Sequence, residues 1–241
     1  MTYCVGLLLN QGIVLLSDTR TNAGLDNIAT YRKMFTFEAP GDRVIVIMTA
    51  GSLSVTQTTI ARLTEAIEDP DATDETSIMK AQTLLKVADI VGNTLLEVRK
   101  DISDKMATMK QSASATMIVA GQRKGGAMRM FLIYPEGNYI EATEDTPFLQ
   151  IGEHKYGKPI LDRVVRPTTS LQDAQKAVLL SMDSTLRSNL SVGMPLDLAV
   201  IERDACQVTQ RRRIEAGDSD FRAMSEAWST ALRDGFVKIT I

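Results

Sequence analysis

Short apolar runs separated by turn-forming residues open the chain. Residues 3–9 and 13–17 are almost entirely apolar and β-prone, and the intervening segment 10–12 reads Asn-Gln-Gly, which is typical of a tight turn. Apolar residues occupy both odd and even positions, so both faces of each strand must be covered. The pattern therefore predicts a buried β-hairpin.

A loop and a third strand are predicted after the hairpin. Residues 19–27 are rich in Thr, Asn and Gly, and residues 30–37 contain the alternation of a strand. The two-residue period places Lys33 on one face with Tyr31, Phe35 and Phe37. Lys33 is therefore expected to point inward, which is an unusual position for a lysine.

The apolar period changes from that of a strand to that of a helix near residue 50. The continuous apolar run 44–48 predicts a strand, and it leads into the small-residue turn Thr-Ala-Gly-Ser at 49–52. Apolar side chains then recur at helical spacing until the Asp- and Pro-rich segment 69–74. We expect a strand that ends directly at the N-terminus of a helix.

The rest of the chain repeats this grouping of strands and helices. In order, it predicts a long amphipathic helix from Leu84 to Ile102, strands over 116–120, 128–134, 138–141 and 148–151, a helical block from Tyr156 to Val164, a helix opened by the capping sequence at Ser170, a hairpin of 196–201 and 206–214, and a last helix through Phe221 and Trp228 ended by Gly235. Runs of strands followed by pairs of helices favour an α+β fold, with antiparallel sheets stacked between helix layers. No Pro/Gly/Ser-rich linker interrupts residues 1–241, so we expect one domain.

The composition and charge of the chain argue against nucleic acid and membranes as partners. The net charge is −3 and the pI is near 5.4, which gives no electrostatic attraction to nucleic acid or to anionic membranes. The basic run 211–213 lies in an alternating strand, so we assign it to a solvated or subunit-facing surface. No apolar run reaches the roughly 20 residues that span a bilayer. Cys4 and Cys206 suit a reducing compartment, and we expect a soluble cytoplasmic protein.

The sequence lacks the residue patterns of several common metal and nucleotide sites. A lone His154 cannot form half of a metal-binding pair, and the sequence contains neither HExxH, CxxC nor GxxxxGK[ST]. A Ser-His-Asp site built on His154 is an alternative, but a single histidine in such a loop is more often structural. We therefore expect no metal and no cofactor.

Thr2 is the leading candidate nucleophile. Removal of Met1 would leave the threonine hydroxyl and a free α-amine on one residue, so that nucleophile and base need no further positioning. An α-amine titrates at about 7.7–8.0, close enough to neutrality to accept and return a proton. A charged Lys33 would keep that amine neutral and lower the proton affinity of the hydroxyl, and Asp18 would hold Lys33 charged.

The turn at 49–52 would complete this site. Gly51 has no side chain to obstruct a substrate carbonyl, and backbone N–H groups at a helix N-terminus stabilise an oxyanion. Each residue alone has an ordinary reading: Asp18 as a turn cap, Lys33 as a strand lysine with its stem buried, Gly51 as a turn glycine. Their joint spacing with Thr2 favours a catalytic site.

These residues resemble those of a known family. Thr2, the segment Ser17-Asp18-Thr19-Arg20, Lys33 and the turn 49–52 resemble the N-terminal third of proteasome β-type subunits, which are N-terminal-nucleophile hydrolases. Segments 17–24, 156–163 and 188–193 resemble the bacterial proteasome-like group called Anbu.

The resemblance implies a four-layer αββα sandwich, self-assembly into rings or helical ring-like oligomers, and threonine-type peptidase or amidase chemistry. It also implies the roles of the site residues, with Thr2 as nucleophile, Asp18 and Lys33 as the charge pair and Gly51 as oxyanion donor. Arg20 would order the neighbouring loop.

Two positions depart from the family pattern. The turn that usually reads Gly-Ser-Gly beside the nucleophile is replaced here by Gly152-Glu153-His154, so that Glu153 would alter how the amine is oriented. Ser188 aligns with the usual aspartate and Ser191 with the usual serine. Serines can hydrogen-bond the amine but add no charge. Only Met1 precedes Thr2, so removal of one residue is expected to expose the amine.

Three functions follow from this reading. The first is a self-assembled threonine hydrolase that cleaves peptide or other amide bonds through an acyl-enzyme. The second is a catalytically weak ring subunit with a scaffold or binding role, which the altered amine environment favours. The third is a small-molecule amidohydrolase on the same fold. The substrate, the number of subunits and an ATP-driven unfoldase partner are left open.

Overall fold

The computed structural model describes residues 1–22, 28–106 and 113–240. In chain order the elements are β1 Tyr3–Leu9, β2 Gly12–Asp18, β3 Arg20–Asn22, β4 Ile28–Thr30, β5 Met34–Ala39, β6 Arg43–Gly51, α1 Leu53–Glu68, α2 Leu84–Met106, β7 Ala115–Arg123, β8 Arg129–Ile133, β9 Tyr139–Glu141, β10 Phe148–Gly152, α3 Lys158–Val164, α4 Leu171–Ser188, β11 Leu196–Glu202, β12 Gln210–Ile214 and α5 Ser219–Val237.

Two five-stranded antiparallel sheets form the centre of the fold. The first has the order β10-β1-β2-β11-β12 and the second the order β5-β6-β7-β8-β9, while β3 and β4 make a separate two-stranded ribbon. The N-terminal hairpin β1–β2 lies in the middle of the first sheet, with β10 beside β1 and β11 beside β2. This central position buries strands β1 and β2.

Three apolar cores separate four layers, as the α+β prediction requires. The core between the second sheet and α1 and α2 contains Ile47, Leu63 and Val91. The core between the sheets contains Leu15, Val46 and Ile118, and the core between the first sheet and α3 and α4 contains Leu7, Leu16 and Val178. The predicted fold class, helices outside and antiparallel sheets inside, is confirmed.

The hairpin shows why its sequence is apolar at every position. Leu15 faces the core between the sheets, and its neighbour Leu16 faces the core under α3 and α4. Successive strand residues point to opposite faces, so both faces of β2 need apolar side chains. The predicted two-sided burial is therefore confirmed, and β2 extends one residue further than expected, to Asp18.

The predicted strand over 30–37 is wrong as a single element. Residues 31–33 separate β4 from β5, because the backbone changes its hydrogen-bonding neighbours there. The Tyr31 N–H donates to the Thr19 carbonyl, and the Thr49 N–H donates to the Lys33 carbonyl, both at 2.9 Å. Lys33 is buried as expected, but Tyr31 is exposed and does not share its environment.

Three further boundaries differ from the sequence predictions. The predicted loop 19–27 contains strand β3, and its residues 23–27 lie outside the described residues. The last strand begins at Gln210 and not at Cys206, which has a φ of 48° in a turn that folds back onto β7 through Asp204 and Gln122. Helix α5 continues past Gly235 to Val237.

Helix α4 begins at the residue that its capping sequence predicts. Ser170 caps α4 by accepting a hydrogen bond from the Asp173 N–H, as the capping sequence indicates. In the part of the chain that the structure describes, no helix has both the length and the apolar character that a bilayer crossing requires. Cys4 and Cys206 are buried free thiols.

Candidate active site

A cleft of about 510 Å³ opens beside the first residues of the chain. The start of β1, the end of β6 and the beginning of β5 meet there, because β1 and β6 lie in the two stacked sheets. The residues that line it are Met1, Thr2, Thr21, Arg32, Lys33, Phe35, Thr49, Ala50, Gly51, Leu53, Thr56, Gln57 and Gly152. Thr2, Lys33 and Gly51, which are three of the four predicted catalytic residues, therefore share one cleft.

The fourth, Asp18, lies directly behind Lys33. The Lys33 Nζ donates to Asp18 Oδ1 at 2.8 Å and to the Arg20 carbonyl at 2.5 Å. Both side chains are buried, with 6% of Lys33 and none of Asp18 exposed. The interruption between β4 and β5 is what turns Lys33 toward Asp18, which is the last residue of β2.

Backbone amides complete the surroundings of Asp18. Its Oδ1 also accepts the Tyr3 N–H at 3.1 Å, and its Oδ2 accepts the Gly193 N–H at 3.2 Å. Burial raises the pKa of Asp18 above its ordinary value of 3.8, while Lys33 and the two amides oppose that rise. A buried ion pair is tolerated only where such additional hydrogen bonds satisfy the charges. The arrangement fixes a lysine cation at one place in the cleft.

The N-terminal backbone is held from the opposite side. The Glu153 N–H donates to the Thr2 carbonyl at 2.7 Å. Gly152 makes this contact possible, because it has a φ of +80° and a Cβ there would collide with the Thr2 carbonyl. Thr2 itself is only 8% exposed, whereas Met1 is 60% exposed.

Burial and nearby charges shift the pKa of the amine at the start of the chain. The pKa of the Met1 amine lies below its ordinary value of 8.0, because burial and then Lys33 disfavour its charged form. Asp18 and Glu153 act in the opposite direction and raise it. An amine in this region therefore accepts a proton less readily than one in water.

Gly51 lies where β6 ends and shortly before α1 begins. Its φ is +113°, and a Cβ would collide with the Ser114 carbonyl, so that only glycine fits. The neighbouring Ser52 N–H donates to the same carbonyl at 2.8 Å, and Ser52 is the N-cap of α1. The predicted junction of strand, turn and helix is confirmed, and Gly51 faces the cleft.

Arg20 connects the site to the loop after α4. Its Nη1 donates to the Leu190 carbonyl at 3.0 Å, and its guanidinium lies so close to Gly193 that a Cβ there would overlap it. Gly193 in turn donates to Asp18 and accepts a hydrogen bond from the Thr19 N–H. Arg20 therefore holds the loop whose backbone supports the buried carboxylate.

Of the remaining predicted site residues, Glu153 and Ser191 are hydrogen-bonded to Asn189, whereas Ser188 is exposed. Glu153 Oε2 accepts a hydrogen bond from Asn189 Nδ2 at 3.1 Å, which joins the turn beside Thr2 to the end of α4. Ser191 donates its N–H to Asn189 Oδ1 within the same loop. Ser188 is exposed, and no contact within the described ranges connects its hydroxyl to Thr2. The supporting roles of Ser188 and Ser191 stay predictions.

Sequence reasoning missed groups that act through the backbone. The Gly193 amide, the Gly152 turn and the Arg20 carbonyl each hold a predicted site residue, and none of them uses a side chain. Asn189 was also missed as the partner of Glu153. The available signal was the glycine at the end of segment 188–193, because a glycine can mark a close approach of two backbones.

The chain is similar in sequence and in structure to known proteins. The sequence matches the proteasome subunit family over residues 2–201. A Gly-1 mutant of Anbu from Hyphomicrobium sp. strain MC1 is 48% identical, with a TM-score of 0.94 and coverage of 100% of this chain and 99% of that one. The helical assembly of the Anbu complex from Pseudomonas aeruginosa is 42% identical, with a TM-score of 0.92 and coverage of 99% and 97%.

Anbu from Yersinia bercovieri, described as an ancestral β-subunit, is 40% identical, with a TM-score of 0.91 and coverage of 99% and 98%. No match is found among curated proteins.

Proposed function

Because this chain belongs to the proteasome subunit family and to its Anbu group, we propose that it is a threonine-type peptidase that works within a self-assembled homo-oligomer. Thr2, exposed by removal of Met1, is the nucleophile. Peptide or other amide bonds are the substrates.

The observation that carries the proposal is the buried ion pair beside Thr2. Lys33 and Asp18 are 2.8 Å apart, three further hydrogen bonds hold them, and Lys33 lines the cleft that contains Thr2. A buried pair of this kind does not favour stability over an apolar pair of the same volume. Its presence next to a hydroxyl and the chain start supports a catalytic use.

The proposed reaction uses the Thr2 hydroxyl, its freed α-amine, Lys33 and the Gly51 backbone. The Thr2 Oγ1 attacks the substrate carbonyl and its proton passes to the freed α-amine. Lys33 disfavours the charged form of the Met1 amine, and the same effect is expected on the amine of Thr2. The oxyanion that forms accepts a hydrogen bond from the backbone N–H of Gly51. The tetrahedral intermediate collapses, the C–N bond breaks, and the leaving amine takes the proton from the α-amine.

Water completes the cycle. It attacks the resulting ester of Thr2, the α-amine accepts the proton of the water, and the proton returns to the threonine oxygen as the acid product leaves. All steps are proton transfers and acyl transfers, so that no electron acceptor is required.

Intact mass followed by labelling tests the proposal. The protein expressed in cytosol should have lost Met1, and an epoxyketone, which reacts with a hydroxyl and an amine on the same residue, should add to Thr2. Thr2→Ala should not label, whereas Thr2→Ser should, because it retains both groups. A protein that keeps Met1, or that fails to label after Met1 is lost, would refute the proposed activity.

A catalytically weak assembly subunit is the second candidate. The helical assembly of the relative from Pseudomonas aeruginosa favours a role in assembly, and Glu153 places a carboxylate where the family usually has a serine. This candidate requires an oligomer that forms equally well with Thr2→Ala and cleaves no peptide. A discrete, non-ring oligomer that hydrolyses only small amides would instead favour a small-molecule amidohydrolase.

A further inference from the structure

The lining of the cleft carries an uneven charge. Arg32 and Lys33 are the charged side chains among its described lining residues, and no carboxylate is among them. The chain as a whole has 30 acidic and 27 basic residues, so composition does not explain this bias. The charge of Lys33 is already compensated by Asp18 at 2.8 Å. Arg32 therefore supplies the net charge that a bound molecule meets.

Arg32 is held in position by the backbone on both sides of it. The Tyr31 N–H is bound to the Thr19 carbonyl, and the Lys33 carbonyl accepts the Thr49 N–H, each at 2.9 Å. The side chain of Arg32 is exposed, and the described residues offer it no ion pair. Its backbone is thus fixed while its guanidinium is open to a ligand.

A second groove continues the cationic surface. This groove of about 310 Å³ lies between the open edges of the two sheets, and Arg32 lines it as well as the cleft. Its other charged lining residues are Arg211, Arg212, Arg213 and Asp197. Arg211 pairs with Glu38 at 2.6 Å, Arg212 with Asp218 at 2.9 Å and Arg213 with Asp197 at 2.9 Å. Among the described residues that line the groove, the uncompensated charge is therefore again that of Arg32.

We propose that the cleft selects peptides with an acidic side chain near the scissile bond, and that Arg32 is the residue that recognises the carboxylate. This inference rests on the proposed function, because it names the substrate class of the same site. A guanidinium binds a carboxylate through two parallel N–H···O bonds, which a lysine or a neutral side chain cannot form. The compensated Lys33 remains available for catalysis.

Matched peptides test the selection. A fluorogenic series carries Glu, Gln or Lys at one of the four positions before the scissile bond, and kcat/KM is measured for the assembled, Met1-free protein. We expect one position at which Glu exceeds Gln by roughly five- to tenfold, the range of a part-exposed charged pair. Arg32→Gln should abolish this preference, so that the Glu and Gln peptides are cleaved with similar kcat/KM values.

The control is Arg222→Gln, an exposed arginine on α5 that lines neither the cleft nor the groove. It should retain the preference for Glu. An unchanged preference in Arg32→Gln, or a wild-type preference for Lys, would overturn the assignment.

A binding measurement separates this inference from the proposed activity. If no peptide is cleaved, the peptidase proposal fails. Fluorescence polarisation with labelled Glu and Lys peptides still measures how tightly each peptide binds to the cleft. Tighter binding of the Glu peptide that is lost in Arg32→Gln supports the acidic ligand class. Equal binding of both peptides refutes it.

Discussion

Replacing Asp18 with asparagine removes the charge that compensates Lys33. The carboxylate now accepts three hydrogen bonds, from Lys33 Nζ at 2.8 Å, the Tyr3 N–H at 3.1 Å and the Gly193 N–H at 3.2 Å. Asparagine has one acceptor oxygen and an amide group that donates. In Asp18→Asn at least one donor therefore loses its acceptor, and the lysine charge stays buried without a partner.

The expected loss is large because both side chains are buried. Breaking a buried pair from one side costs about 3–5 kcal/mol, and most of that cost comes from the charge that is left behind. Replacing Lys33 with methionine as well removes that charge. The double variant Asp18→Asn/Lys33→Met should therefore be more stable than Asp18→Asn alone by about 1–3 kcal/mol.

Urea denaturation followed by circular dichroism measures the effect. Protein concentration is held constant, since the free energy of unfolding of an oligomer depends on it. Asp162→Asn is the matched control, because Asp162 pairs with Lys158 where about half of each side chain is exposed, and it should cost less than about 0.5 kcal/mol. The reasoning fails if Asp18→Asn unfolds at the wild-type urea midpoint, or if the effects of the two substitutions simply add.

Three other substitutions or titrations probe the same site. Burial raises the pKa of Asp18 above 3.8, so the folded protein binds this proton before the unfolded chain does. As pH falls through the folded pKa, labelling of Thr2 should decrease reversibly, because the protonated carboxyl no longer compensates the charge of Lys33; joint loss of labelling and of circular dichroism signal would contradict this. Gly152→Ala should slow labelling by at least about tenfold, because its Cβ would collide with the Thr2 carbonyl at a φ of +80°. Gly217→Ala, where a Cβ meets open space, should label normally. Glu153→Gln removes a charge that raises the pKa of the Met1 amine and is expected to act in the same direction on the Thr2 amine once Met1 is lost. The pH at which labelling is half-maximal should therefore move down, and an upward move would count against that role.

The sequence predicts the layers well because its apolar patterns are strong and local. The continuous apolar runs of the hairpin predict strands that are covered on both faces, and the helical spacing of apolar residues in α2 predicts a helix that is covered on one face. In the structure, apolar cores cover these faces. The strand over 30–37 was mispredicted because the alternation of its side chains continues across a point where the backbone changes partners. That exchange depends on Thr19 and Thr49, which are distant in sequence.

Part of the candidate site could be predicted from the sequence and part could not. Thr2, Asp18, Lys33 and Gly51 could be predicted because their side chains, or the lack of one, carry the proposed chemistry. The supports of those residues could not, because the Gly193 amide and the Arg20 carbonyl look like any other backbone group in a sequence. Only the folded arrangement brings them to Asp18 and Lys33.

The hydrogen bond from the Gly193 N–H to Asp18 also has a consequence in time. Thr2 leaves the ribosome near the start of synthesis, whereas the amide that completes the surroundings of Asp18 comes about 190 residues later, a delay of roughly 10–40 s at ordinary rates of translation. During that interval a growing chain carries its threonine without a finished site. The proposed peptidase activity is therefore expected only after residue 193 has been synthesised, which would keep the nascent chain from premature hydrolysis.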